Sequence, residues 1–87
     1  MSIETIAELD REEMRVLLAE TVDADLTEVT DDADFVKTLA VDSLMALEVI
    51  VVLERRYGVK FSESEMRSVR TLRSAHELVS AKLRGRP

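Results

Sequence analysis

The stretch Asp42-Ser43-Leu44-Met45-Ala46-Leu47-Glu48-Val49-Ile50-Val51-Val52-Leu53-Glu54-Arg55-Arg56-Tyr57-Gly58 decides how the chain is read. Asp42 is a residue type that caps helix N-termini, with Ser43 at the first helical position. Gly58 follows the last turn, where a left-handed residue commonly stops a helix. Arg55 and Arg56 stand where cations complement the helix dipole. The β-branched run Val49 to Val52 alone suits a strand. The length, both caps and the Leu-Met-Ala start favour a helix over 43–57.

This helix is apolar nearly all round, whereas an ordinary surface helix buries one stripe. Ala46, Val49, Ile50, Leu53 and Tyr57 are spaced for a core. Leu44, Leu47 and Val51 form a second row at i, i+3 and i+7. A small bundle can hardly enclose both rows. The second row either packs under a neighbouring loop or forms a docking surface for other proteins. Glu48 and Glu54 flank it.

Outward from that helix, Asp10-Arg11-Glu12-Glu13 has capping-box spacing, and Met14, Leu17, Leu18 and Val22 follow on one stripe. A first helix is expected over about 10–22. Thr21 to Asp42 reads as a long connection rich in Asp and Thr, which compete for backbone hydrogen bonds. Leu26, Val29, Phe35, Val36 and Leu39 are the expected pins into the core. Ser62-Glu63-Ser64-Glu65 is a second capping-box pattern and opens a short helix at about 63–67. Thr71 caps a last helix with Leu72, Ala75, His76, Val79 and Leu83 as its apolar stripe. The expected fold is all-α: three main helices, one short helix and a long loop between helices 1 and 2. One domain is expected over 10–84, after a lead of residues 1–9 and before the loose end 85–87.

Composition narrows the function. The 87 residues include 18 acids, 12 bases, one His and no Cys, for a net charge of −6. At this size roughly 60% of the unfolded chain's surface is buried, which leaves little room for an enclosed substrate pocket. Without Cys there is no disulfide framework, no Cys-based zinc site and no cysteine nucleophile. No apolar run is long enough to span a membrane, and the start Met1-Ser2-Ile3-Glu4 lacks the features of a signal peptide. A soluble, cytoplasmic protein is expected, with no membrane partner. Residues 1–34 hold twelve acids against Arg11 and Arg15, while residues 35–87 hold ten bases against six acids. A net-acidic chain with few aromatics argues against nucleic acid. The late cluster Arg67, Arg70, Arg73, Lys82, Arg84 and Arg86 reads as a solvated helix face.

Asp42-Ser43-Leu44 places a hydroxyl at the positive end of a helix dipole, beside free backbone N–H groups, where an attached phosphate is electrostatically favoured. Most such serines are only caps. The surroundings are more specific. The segment Glu28-Val29-Thr30-Asp31-Asp32-Ala33-Asp34-Phe35-Val36-Lys37-Thr38-Leu39-Ala40-Val41-Asp42-Ser43-Leu44 closely resembles the loop and attachment segment of acyl carrier proteins. There, an acidic turn-forming stretch is followed by Phe-Val, then Leu, then Asp-Ser-Leu. The resemblance continues through Leu53-Glu54, Tyr57-Gly58-Val59, the short helix and the Thr-capped last helix, over about residues 10–83.

The resemblance implies a four-helix bundle carrying 4′-phosphopantetheine, joined to Ser43 as a phosphodiester. It implies installation from coenzyme A by a phosphopantetheinyl transferase, and a terminal thiol that holds acyl groups as thioesters. Asp42 would engage the transferase and its magnesium. Helix 2 would meet ketosynthase, acyltransferase or other synthase enzymes through Leu44, Leu47, Glu48, Val51, Glu54 and Arg55. A monomer that is a carrier, with no catalytic or metal-ligating residue of its own, is the implied state. Four positions depart from the family pattern. Ala40 stands where Gly is usual. Met45 replaces an acid common after Asp-Ser-Leu in fatty-acid carriers, and Arg55 and Arg56 replace late acids. Ser43-Leu44-Met45-Ala46-Leu47-Glu48 looks more like polyketide-synthase carriers, and the loop before it more like fatty-acid carriers. A discrete carrier for polyketide or specialised fatty-acid synthesis is expected. The alternatives are a peptidyl or aminoacyl carrier, or an unmodified interaction module.

The sequence also holds two weaker patterns. Asp23, Asp25, Thr27, Asp31 and Asp34 fall at calcium-loop spacing, but Glu28 stands where that loop needs Gly, and Asp34 where it needs a bidentate Glu. A capped acidic loop is the better account. His76 lies on an apolar stripe, so a packed imidazole is expected. A Ser43–His76 hydrolase pair lacks an orienting acid and the nucleophile-elbow pattern.

Overall fold

The computed structural model describes residues 9–85. Four helices follow in order: α1 (Arg11–Val22), α2 (Ser43–Tyr57), α3 (Glu63–Ser68) and α4 (Leu72–Arg84). Among the described residues there is no strand, and no helix is long and apolar enough to cross a membrane. Of the expected lead, residues 1–8 lie outside the described residues, as do Arg86 and Pro87 of the expected tail.

Each helix begins where its sequence supplies a capping oxygen. Asp10 accepts from the Glu12 and Glu13 amides at 2.9 and 3.3 Å. Its expected reciprocal partner is engaged elsewhere: Glu13 meets Arg56 of α2 at 2.8 Å, tying two helices together. Ser62 and Glu65 do form a full capping box, with the Ser62 amide donating to Glu65 at 2.8 Å. Thr71 caps α4 and exchanges hydrogen bonds with Ser74. Gly58 ends α2 in the left-handed region at φ 66°, as the sequence requires.

The core is one cluster. Met14 and Leu18 of α1, Val49, Ile50 and Leu53 of α2, and Leu72, Ala75 and Val79 of α4 are buried together. α1 packs on both α2 and α4, and α3 packs on α4. Val59 and Phe61 fill the space after α2. Ala46 and Tyr57 are partly buried at its margin. His76 is half-buried, with Nε2 2.9 Å from the Leu9 carbonyl oxygen, which holds the start of the described chain against α4.

The long connection departs from expectation in two ways. It contains a 3-10 turn, Leu26–Glu28, closed by a capping box between Asp25 and Glu28. Only some of the expected pins reach the core. Val29 and Phe35 are buried and Leu39 packs against the cluster. Leu26 and Val36 are instead 49% and 56% exposed. Val36 sits in a turn whose inward slot Phe35 already takes, and Leu26 opens the 3-10 turn on the outer surface. Val41, not among the expected pins, is buried. Its position directly before an N-cap was the available signal, because an apolar residue there often anchors the entering chain.

The late basic cluster is largely spent on internal pairs. Arg67 meets Glu63 at 3.2 Å, Arg70 meets Asp34 at 3.1 Å, Arg73 meets Asp32 at 2.7 Å and Lys82 meets Glu65 at 2.8 Å.

Candidate functional site

Two anchors bracket the approach to α2. Phe35 is held by its amide donating to the Arg70 carbonyl at 2.8 Å, and Val41 by its amide donating to the Phe35 carbonyl at 2.8 Å. Between them the chain makes a tight turn. Asp34 organises it, accepting from the Val36 and Lys37 amides at 2.9 Å each. Ala40 completes the turn at φ 57°, a left-handed conformation that disfavours residues with a Cβ. The departure from Gly noted in the sequence therefore falls on a position with a geometric reason for Gly.

Asp42 then leaves the core and caps α2, accepting from the Met45 amide at 2.8 Å. Ser43 is the first helical residue and is exposed. The Ala46 amide donates to the Asp42 carbonyl at 2.9 Å. The Ser43 and Leu44 amides lie earlier in the first turn, where a helix offers no backbone acceptor. There is no acidic residue in that turn. These features suit a phosphodiester on the Ser43 hydroxyl: free N–H donors, the positive dipole end and room for a substituent. Phosphopantetheine bound there would supply a thiol that this Cys-free chain lacks.

Carboxylate–arginine pairs hold the supporting loop. Asp31 lies 2.7 Å from Arg11 and 2.8 Å from Arg15, and its backbone oxygen accepts from the Arg73 amide at 2.9 Å. The Arg15 hydrogen bond, aided by Arg11, holds Asp31 below its ordinary acidity range. The Lys37 and Val36 amides, with Arg70 beyond them, do the same for Asp34. Arg73 does so for Asp32. Of the acids at calcium-loop spacing, the Asp31 and Asp34 carboxylates are committed to arginines and backbone amides, while Asp23 ends α1 in the left-handed region and Asp25 opens the 3-10 turn. Among the described residues no three His, Cys, Asp or Glu side chains converge to hold a metal ion.

The second apolar row of α2 does not pack under the loop. Leu44 is 76% exposed, Leu47 56% and Val51 42%. Glu48 and Arg55 are exposed alongside them. Glu54 differs. One carboxylate oxygen, Oε2, accepts from the Phe61 amide at 2.9 Å, so this side chain also fastens the segment after Gly58. Arg55 and Arg56 separate as well, since Arg56 is paired to Glu13. Neither distinction could be read from adjacent positions in the sequence. Nor could Lys60, which joins Val51, Glu54, Arg55, Gly58 and Val59 around an open cleft of about 450 Å³.

Comparison with known proteins agrees with this geometry. The protein-family model described as a phosphopantetheine attachment site matches residues 12–79. The chain is 51% identical over 79 residues to Polyketide-8 synthase acyl carrier protein 2 of Streptomyces avermitilis, covering 91% of each chain. It is 34% identical over 58 residues to an acyl carrier protein of Helicobacter pylori, covering 67% of this chain and 74% of that one. It is 32% identical over 72 residues to an acyl carrier protein of Petrotoga mobilis, covering 83% and 85%. With a family match across most of the helical bundle and 51% identity over 79 residues to one such carrier, the chain belongs to the acyl carrier proteins, carriers of phosphopantetheine rather than enzymes.

Proposed function

We propose that the chain carries acyl or polyketide intermediates as thioesters on a phosphopantetheine arm attached at Ser43, and presents them to synthase enzymes. One observation carries the site: Ser43 is exposed at the first position of α2, between the capping Asp42 and the 76% exposed Leu44. The protein's own part is positioning. The Phe35–Val41 turn fixes where α2 begins, and the helix start supplies donors for a phosphate. Asp42 is the acid nearest Ser43 in sequence and serves recognition by a phosphopantetheinyl transferase. Leu44, Leu47 and Val51, flanked by Glu48, Glu54 and Arg55, form the face that meets ketosynthase or acyltransferase partners. The polyketide pathway is favoured because the 51% identical Streptomyces relative is named as a polyketide-synthase carrier. A monomeric, cytoplasmic carrier fits this role.

The test is incubation of wild type and Ser43→Ala with coenzyme A, magnesium and a broad-specificity phosphopantetheinyl transferase, read by intact mass. A gain of one phosphopantetheinyl group on wild type alone supports the assignment. A gain on Ser43→Ala removes the site. Loading the holo form with malonyl groups by an acyltransferase, against aminoacyl groups by adenylating enzymes, separates a polyketide carrier from a peptidyl one.

A further inference from the structure

The far end of α2 carries a charge pattern that the attachment site does not use. Arg55 stands eleven residues after Leu44, about three helical turns on, so it continues the exposed row of Leu44, Leu47 and Val51. Val51 and Arg55 both line the cleft with Glu54, Gly58, Val59 and Lys60. The exposed apolar row therefore runs into a basic recess. Arg56 is neutralised by Glu13 at 2.8 Å, whereas among the described residues Arg55 and Lys60 have no acidic partner within 4.0 Å. The acid at the rim, Glu54, has one oxygen bonded to the Phe61 amide. The recess thus presents two unpaired cations beside an apolar surface, with the still-charged Glu54 held toward the Phe61 amide, and is net positive by one.

We propose that this cleft receives an acidic segment of a partner protein, with an apolar side chain on Val51 and carboxylates facing Arg55 and Lys60. Charge complementarity selects the occupant: a basic segment would meet two like charges, and a purely apolar one would strip water from both cations without pairing them. The α2 face then has two polarities. Glu48 sits midway along it, and the Arg55–Lys60 end calls for the opposite charge on the partner. The inference rests on the docking role proposed for α2. The cleft lies about 18 Å along the helix from Ser43, so it is read separately from loading.

The experiment is a titration of the isotope-labelled full chain, followed by amide NMR shifts at low salt. The probe is a helical peptide with one Leu face and one Glu face, compared with the same peptide carrying Lys in place of Glu. Shifts centred on Val51, Arg55, Val59 and Lys60 are expected with the Glu peptide and not with the Lys peptide. The double variant Arg55→Gln, Lys60→Gln should weaken binding about tenfold, while Arg56→Gln leaves it unchanged. No shifts, shifts centred on Arg67, Arg70 or Arg84, or equal weakening by Arg56→Gln would overturn the proposal. A role for Arg55 confined to the helix dipole predicts no loss on its replacement and so gives the overturning result. Loaded and unloaded chains are titrated side by side. A chain that fails to load yet shows the expected shifts retains this inference and loses the carrier reading.

Discussion

The Val41 amide donates to the Phe35 carbonyl across 2.8 Å, closing the turn in which Ala40 adopts φ 57°. This one contact links a buried aromatic to the residue that immediately precedes the Asp42 cap. It transmits the position of the core to the start of α2, and hence to Ser43.

Replacement of Ala40 by Gly should stabilise the fold. The left-handed conformation costs a residue with a Cβ about 1–2 kcal/mol. The greater freedom of Gly in the unfolded chain returns about 0.5–1 kcal/mol of that. A net gain of about 0.5–1 kcal/mol corresponds to a few degrees in Tm for a domain of this size. Thermal unfolding of Ala40→Gly and wild type decides it; a lower Tm for the variant would contradict the turn geometry.

Loss of the Glu54 carboxylate should destabilise the segment after α2. Glu54→Ala leaves the part-buried Phe61 amide without its acceptor, at a cost of about 1–3 kcal/mol. The Phe61 amide should also exchange faster with solvent. Unchanged exchange at Phe61 would show that this hydrogen bond does not hold the segment.

Acid should loosen the loop before α2. Asp31, Asp32 and Asp34 are all held below the ordinary Asp value of 3.8 by arginines or backbone amides. Because their folded values are the lower ones, their stabilisation is complete above about pH 4 and is lost as pH falls through those values. Tm should therefore drop below about pH 4, and Arg15→Gln should flatten the drop by removing the leading partner of Asp31. An equally steep acid transition in Arg15→Gln would show that this pair does not set the acid sensitivity.

The exposed row on α2 should matter to partners and not to folding. Leu44→Ser and Leu47→Ser remove side chains that are 76% and 56% exposed, so stability should stay within about 0.5 kcal/mol of wild type. Turnover of the acylated variants by a partner ketosynthase should fall, chiefly through KM. Unaltered turnover would take these two residues out of the interface.

Much of this molecule was legible from local patterns. The Asp42 to Gly58 run carried its own start and stop, and Asp10, Ser62 and Thr71 marked the other helix starts. These are short-range signals, decided within one or two turns. What was not legible depends on how distant segments meet. Leu26 and Val36 were as apolar as Val29 and Phe35; which turned inward was set by the 3-10 turn for Leu26 and Val29, and by the turn that Asp34 caps for Phe35 and Val36. Arg55 and Arg56 are identical neighbours, distinguished because Glu13 of α1 comes to lie beside only one of them. Glu54 looked like a surface acid until the chain returned after Gly58 and brought the Phe61 amide to it. For the candidate site, Ser43 and Asp42 followed from cap chemistry and the family resemblance, whereas the basic recess with Lys60 followed from the fold alone.

The most direct measurement locates the prosthetic group on the chain. After loading with coenzyme A and a phosphopantetheinyl transferase, trypsin should release Thr38–Arg55, in which Thr38 and Ser43 are the hydroxyl-bearing residues. This peptide alone should gain the phosphopantetheinyl mass, and its fragment ions should place the group on Ser43. A folded protein whose modification falls on Thr38, or on a peptide containing Ser62, Ser64 or Ser68, would contradict it.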